Sequence, residues 1–196
     1  MRAQRSDLIS NYRILITLGN IALTKPETIL PAVERMLQVL SNYLTCVDGS
    51  EISLFYIGVG PSNAKTVTDH IAVLRPYSWL MVGHCGGLRN SQRLGVYVLT
   101  HAYLREDGVL DDNLPVWVSI PELAEIHIAL ETALAAVTAL EGYLLKLIIR
   151  TSTVATVENH DWELCDQFGP IQPLSQSRAV ALDMESATIA ANGYRF

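Results

Sequence analysis

Short apolar runs that stop on glycine recur along this chain, and few folds accommodate them. Ile14-Leu-Ile-Thr-Leu18 ends in Gly19-Asn20, Ile52 to Ile57 ends in Gly58-Val59-Gly60, and Trp79-Leu-Met-Val82 ends in Gly83-His84-Cys85-Gly86-Gly87. Apolar runs of this length between turn residues read as buried strands. Helical stripes lie between them. From about Thr28 the stripe is Val33, Met36, Leu37, Leu40 and Leu44, and before Pro76 it is Ala64, Val67, Ile71 and Leu74. A third stripe, Leu123, Ile126, Leu130, Leu134 and Val137, follows Ser119-Ile-Pro121-Glu122, which has the form of a capping box with proline near the first helical position. Val96 to Tyr103 and Leu144 to Ile149 read as further strands, and Glu158 to Ser177 as loop-rich. Strands alternating with helices predict an α/β protein built as a three-layer α/β/α sandwich.

Composition narrows the function classes. With 49% hydrophobic and 17% charged residues over 196 positions, the expectation is one globular domain spanning 1–196, with 1–12 frayed. A net charge of −6 without a Lys/Arg run argues against a nucleic-acid partner. Cys46, Cys85 and Cys165 form no CxxC pair, which favours reduced thiols and a cytoplasmic protein. The basic N-terminus has no apolar segment behind it, and no window reaches the length of a membrane helix, so no membrane partner is expected. No two histidines have metal-ligand spacing, so neither a metal nor another cofactor is expected.

Two glycine loops and one acidic corner carry the candidate chemistry. Gly58 to Thr66 lacks the P-loop glycines, since Ala64 and Val59 stand in their places, and Asn63 and Pro61 spoil the dinucleotide fingerprint. Glycines before a helix start still favour a closely approaching anion, with Lys65 at hand; a tight strand-to-helix turn accounts for the same residues equally well. Gly83 to Asn90 forms a candidate pocket wall of Gly83, His84, Gly86 and Gly87, followed by Arg89 and Arg93 as candidate phosphate partners. Cys85 and His84 point to opposite faces of an extended segment, so Cys85 is expected in the core and not as a nucleophile. Near the C-terminus Ala179-Val-Ala-Leu182 runs into Asp183-Met184-Glu185. Acids at a strand tip bind ligand or cap the next helix, and both readings stand on this stretch alone.

Gly58-Val-Gly-Pro-Ser-Asn-Ala64, Gly83-His-Cys-Gly-Gly87 and Asp183-Met-Glu-Ser-Ala187 resemble successive signatures of the purine nucleoside phosphorylase and hydrolase family. The match runs from about Tyr56 to Phe196 and is looser before it, where Ile14 to Asn20 resembles the first strand and its glycine, Gly19. In detail, Gly83 to Asn90 and Arg178 to Phe196 resemble the members that hydrolyse AMP. The resemblance implies a nucleoside phosphorylase-like fold with a mixed central sheet, lacking the family's last strand and helices and any N-terminal regulatory domain. It implies hydrolysis of the N-glycosidic bond of AMP to adenine and ribose 5-phosphate, with no cofactor, in a homo-oligomer that is a hexamer. Glu185 then grips the ribose hydroxyls, Met184 packs on the sugar and Asp183 is the second ribose-side acid. Thr151 to Trp162 is the loop on the purine, with Val157 and Trp162 as its contacts. Arg89, Lys65, Arg93 or Gly19 holds the 5′-phosphate, and Met81 stands where phosphorylases place a phosphate-binding arginine. The family's proton donor to the base is expected on a strand beyond Phe196. An inactive nucleotide-binding or assembly subunit, or a nucleoside phosphorylase, are the alternatives.

Overall fold

The glycine-terminated runs that begin at Ile14 and Ile52 supply strands of one sheet, and a second sheet is built from segments further along the chain. The structure, a computed structural model, describes residues 12–16, 42–45, 51–158, 172–174 and 176–196, with side chains from 55 onward. The chain divides into two compact units, one of residues 1–83 with 188–196 and one of 84–187.

In the first unit β1 (Tyr12–Ile16), β2 (Asn42–Thr45) and β3 (Glu51–Leu54) form a mixed sheet in the order β1-β3-β2, with β1 parallel and β2 antiparallel to β3. The helix expected from about Thr28 lies outside the described residues except at Leu44, the last position of its stripe, which is corrected to strand: it pairs with Ile52 in β2. Past β3, Phe55 and Ile57 are buried and the chain turns through Gly58 and Gly60 at φ 71° and 100°. Helix α1 (Pro61–Ile71) starts with proline at its first position, where no backbone N–H is needed. Its Ala64, Val67 and Ile71, with Leu74 beyond, fall on the predicted stripe and pack with Phe55, Ile57 and Ile189. Full burial of each larger side chain there contributes about 1.5–3 kcal/mol. Trp79 and Met81 pack on the same cluster. The run Trp79–Val82 nevertheless forms no strand beyond a single bridge at Trp79. A four-residue apolar run signals burial and does not by itself demand a ladder.

In the second unit β4 (Gly86–Gly87), β5 (Tyr97–Glu106), β6 (Ile149–Val157) and β7 (Ala181–Asp183) form a sheet in the order β4-β7-β6-β5. The β5, β6 and β7 strands run parallel and β4 is antiparallel to β7, so this sheet too is mixed. Helix α2 (Ala124–Thr138) carries the middle of the predicted stripe, where Leu130 and Leu134 pack against Leu99, Leu145 and Ile149, whereas Leu123 precedes the helix and both it and Val137 are exposed. The capping box does not form: the helix begins at Ala124, Pro121 bridges Ala102, and the Glu122 N–H donates to the His101 carbonyl. Pairing with β5 has claimed the residues that would have capped the helix. Leu144–Ile149 is corrected as well. Gly142–Ile148 is helix α3, and the strand starts only at Ile149. Leu144, Leu145, Lys146 and Leu147 are good helix formers, whereas the β-branched pair Ile148-Ile149 sits at the switch. Among the described residues no single helix is long and apolar enough to cross a membrane. The last helix, α4 (Ser186–Arg195), starts in the second unit and continues in the first.

Candidate functional site

Asp183 ends β7, and its side chain is held by two residues, Thr156 and Ser186. Thr156 lies beside it in parallel register on β6. The Thr156 hydroxyl donates to Asp183 Oδ1 at 2.5 Å, and the Ser186 backbone N–H donates to Oδ2 at 3.2 Å. The Thr156 oxygen also accepts the Ala187 N–H at 2.9 Å and lies 3.2 Å from Ser186 Oγ. One threonine hydroxyl thus ties the strand tip to the first turn of α4. Two orphan N–H groups of that helix start, those of Ser186 and Ala187, are satisfied by the Asp183 and Thr156 side chains. The capping reading of Asp183 is correct in this sense, and it leaves Met184 and Glu185 half-buried at the junction.

The setting of Asp183 is costly for a charge. It is 9% exposed, and burial pushes its carboxyl up to about 6, with the Glu185 charge adding to the rise and hydrogen bonds from Ser186 and Thr156 opposing it. Its charge is felt by two neighbours. Burial raises the Tyr103 phenol to about 12, helped by Asp183 and then Glu122. Partial burial of the sulfur, then Asp183, pushes the Cys85 thiol up. The cation on this sheet face, Arg105, is in register with Thr156 but is spent elsewhere. It donates to the Leu114 carbonyl at 2.8 Å and pairs with Asp111 at 3.3 Å.

The glycine wall reaches the acidic corner through backbone pairing. Gly86 and Gly87 sit opposite Leu182 and Ala181 of β7, and the Leu88 N–H extends the ladder to the Val180 carbonyl. A methyl group on Gly87 would lie 3.1 Å from Gln92 Oε1, the atom that accepts the Arg89 N–H at 2.9 Å. Gly87 therefore lets the Gln92 amide close the turn carrying Arg89. His84 and Cys85 are exposed, so the core placement expected for Cys85 is wrong: two glycines, not apolar neighbours, follow it on the strand.

The structure brings Gly86, Gly87, Val157, Asp183, Met184 and Glu185 onto the adjoining strands β4, β6 and β7 and the junction after β7. Val157 ends β6 and packs with Ala155, Leu174 and Leu182. Thr151 to Val157 is strand and not loop, because Thr and Val favour the pleated, half-buried setting. Arg89 is half-buried beside this wall, and Arg93 is exposed on the turn that precedes β5. Lys65 and Gly83 belong to the first unit, where Lys65 pairs with Asp69 at 2.5 Å. Gly19 and Trp162 lie outside the described residues. Reading the sequence missed Thr156, Ser186 and Tyr103. No local pattern in β6 sets Thr156 apart from Thr151 and Thr153. Among the described residues no group of three His, Cys, Asp or Glu side chains is placed to hold a metal.

A mixed α/β sheet with a glycine wall paired to an acidic strand tip defines a nucleoside phosphorylase-like protein, and solved structures bear out that fold. AMP nucleosidase from Bacteroides thetaiotaomicron superposes with a TM-score of 0.67 at 24% identity, covering 95% of this chain and 77% of that one. Uridine phosphorylase from Vibrio fischeri gives 0.66 at 13% identity over 95% and 73%. MTAN of Helicobacter pylori gives 0.61 at 17% identity over 94% and 80%. In sequence the chain is similar to AMP nucleosidase: 154 residues, 79% of the chain, are 55% identical to the Escherichia coli K12 protein of that name. An AMP nucleosidase of Escherichia coli O157:H7 matches equally, at 55% over the same length. The chain spans about a third of the length of these curated relatives, covering 32% of each. No family model matches the chain.

Proposed function

We propose that this chain carries the ribose-binding corner of a hydrolase that cleaves the N-glycosidic bond of AMP, giving adenine and ribose 5-phosphate. The observation that carries the reading is the Asp183-Met184-Glu185 junction, braced by Thr156 and Ser186, in a chain 55% identical to AMP nucleosidases over 79% of its length. In the reaction water adds to C1′ as the C1′–N9 bond breaks, and its electron pair leaves with the purine, which takes up a proton. Positive charge develops on the sugar, so carboxylates beside it stabilise the transition state. Glu185 is assigned to the 2′- and 3′-hydroxyls, Met184 to the sugar face and Arg89 to the 5′-phosphate. Asp183 is the supporting acid behind Glu185.

Water is favoured over phosphate as nucleophile by Met81, whose side chain packs on the apolar cluster of Phe55, Val67 and Ile71. A thioether in that setting offers no grip on an inorganic anion. The family's pattern adds a cytoplasmic homo-oligomer, a hexamer, to the proposal. Exposed apolar residues such as Trp117, Ile128 and Leu144 fit burial between subunits, which light scattering on the purified protein tests. The deciding experiment is incubation of AMP with the purified protein in complete length, including the strand expected to carry the proton donor, and chromatographic assay of free adenine. Release of adenine without added phosphate is expected. No adenine, or release strictly dependent on phosphate, would overturn the reading.

A further inference from the structure

We infer that Thr156 is a positioning residue for the acidic corner, setting the protonation of Asp183 and the direction in which Met184 and Glu185 leave the strand. The inference rests on the proposed ribose-binding role of that corner. Thr156 is fully buried, at 0% exposure, and does three things with one oxygen. Its single hydroxyl proton goes to Asp183 Oδ1 at 2.5 Å. Its lone pairs face the Ala187 N–H at 2.9 Å and Ser186 Oγ at 3.2 Å. The Ser186 hydroxyl, which also hydrogen-bonds the Asp183 carboxyl, closes the cluster on the other side. The bond to Asp183 precedes Met184 and Glu185 and the bond from the Ala187 N–H follows them, so Thr156 anchors the chain on both sides of the pair. Because Thr156 and Asp183 are register partners on parallel strands, their side chains share one sheet face.

The chemistry of the pair sets the direction of the effect. A buried carboxylate resists ionisation, and a hydroxyl donating to it lowers that resistance. The charged and titratable groups acting on Asp183 are few. Glu185 follows it on the same junction, Tyr103 on β5 and Cys85 before β4 feel its charge, and Arg105 is engaged by Asp111 and the Leu114 carbonyl. Threonine to valine keeps the shape and removes both the donor and the acceptor. Threonine to serine keeps both and removes only a methyl group.

The test uses the protein in complete length, as in the adenine assay above, with carboxyl-labelled aspartate and compares wild type, Thr156→Val and Thr156→Ser. Carbon NMR titration of Asp183 and amide hydrogen exchange at Ala187 are read alongside adenine release. The expected result is an Asp183 midpoint moved upward and Ala187 exchange accelerated at least about tenfold in Thr156→Val, with both restored in Thr156→Ser. Adenine release falls about 10- to 100-fold in the valine variant, the scale expected of a displaced positioning group, and recovers in the serine variant. An unmoved midpoint and unchanged Ala187 exchange in a folded Thr156→Val protein would overturn the inference whatever the activity. Should valine fail to fold, Thr156→Ala is read in its place: an Asp183 midpoint and Ala187 exchange matching wild type overturn the inference, and a raised midpoint with faster exchange upholds it. Wild-type protein that releases no adenine while the midpoints shift as expected would overturn the proposed function and leave the Thr156–Asp183 coupling standing.

Discussion

Thr156 and Asp183 stand 27 residues apart in sequence and 2.5 Å apart at their side-chain oxygens, as partners in the parallel pairing of β6 with β7. The contact makes the acidic junction a built feature and not a frayed strand end. It also puts a buried acid where its charge is supported by hydroxyl and backbone N–H donors, while Glu185 opposes it.

Stability should depend on Asp183 with a definite sign. Its carboxyl is raised from an ordinary 3.8 to about 6, so the folded chain holds a proton that the unfolded chain has lost across that window. Stability from this group is therefore full below about pH 4, declines as pH rises through 6, and is gone above it. The loss is on the order of 3 kcal/mol, at about 1.4 kcal/mol per pKa unit. Asp183→Asn keeps an acceptor for the Ser186 N–H and never ionises. Urea denaturation should find the variant more stable than wild type at pH 8 and the two indistinguishable at pH 4. A wild-type advantage at pH 8 would mean that the ionised carboxylate is a net stabiliser.

Glu185 should separate function from folding. It is half-buried at the junction, unlike the buried Asp183, and the proposal places it on the ribose hydroxyls. Glu185→Gln is expected to lower kcat for adenine release by about 100-fold or more, the scale of a lost positioning or electrostatic contact. The denaturation midpoint should move by less than about 0.5 kcal/mol. Steady-state kinetics and urea melts on the same preparation check both halves. Unchanged kcat would remove Glu185 from the site.

The legible part of this chain was whatever local chemistry encodes. Glycines after Ile57 and the stripe of Ala64, Val67 and Ile71 announced a strand-turn-helix, and Asp183-Met-Glu announced a strand tip. Leu144 to Ile149 misled because a short run that is apolar except for Lys146 shows no clear period, and only the β-branched residues at its end marked the helix-to-strand switch. Ser119 to Glu122 misled because Pro121 found a partner on β5, a tertiary event that no local pattern carries. The Thr156–Asp183 pair was hidden for the same reason. Register between two strands is set by the whole sheet, so neither sequence window contains it.

Gly60 supports the turn into α1 with a backbone that other residues resist. Its φ of 100° and ψ of 155° lie in a region essentially reserved for glycine, and it is buried. The Ala64 N–H closes the first helical turn on its carbonyl at 3.1 Å. Gly60→Ala should cost about 1–3 kcal/mol. Chemical denaturation would show a lower midpoint at unchanged slope, and a loss below about 0.5 kcal/mol would show that the turn relaxes without strain.

Lys65 and Arg89 make opposite predictions as phosphate ligands. Lys65 Nζ lies 2.5 Å from Asp69 Oδ2, and Asp69 Oδ1 accepts the Asn192 amide at 2.8 Å and lies 3.6 Å from Arg195. Asn192 is fully buried and also donates to Thr68 at 2.7 Å, so the group holding Lys65 is itself fixed from α4. The lysine charge thus serves an ion pair inside the first unit. That pair, about 30% exposed at both side chains, is worth less than about 1 kcal/mol. Arg89 has its backbone N–H fixed by Gln92 beside the glycine wall, and its guanidinium fork suits a phosphate. Lys65→Met is expected to leave KM for AMP within about twofold, whereas Arg89→Met should raise it about tenfold or more, one lost charge-assisted contact. Adenosine, which lacks the 5′-phosphate, supplies the control: its KM should be insensitive to both substitutions. A large rise in KM for AMP with Lys65→Met alone would move the phosphate site to the N-terminal half of α1.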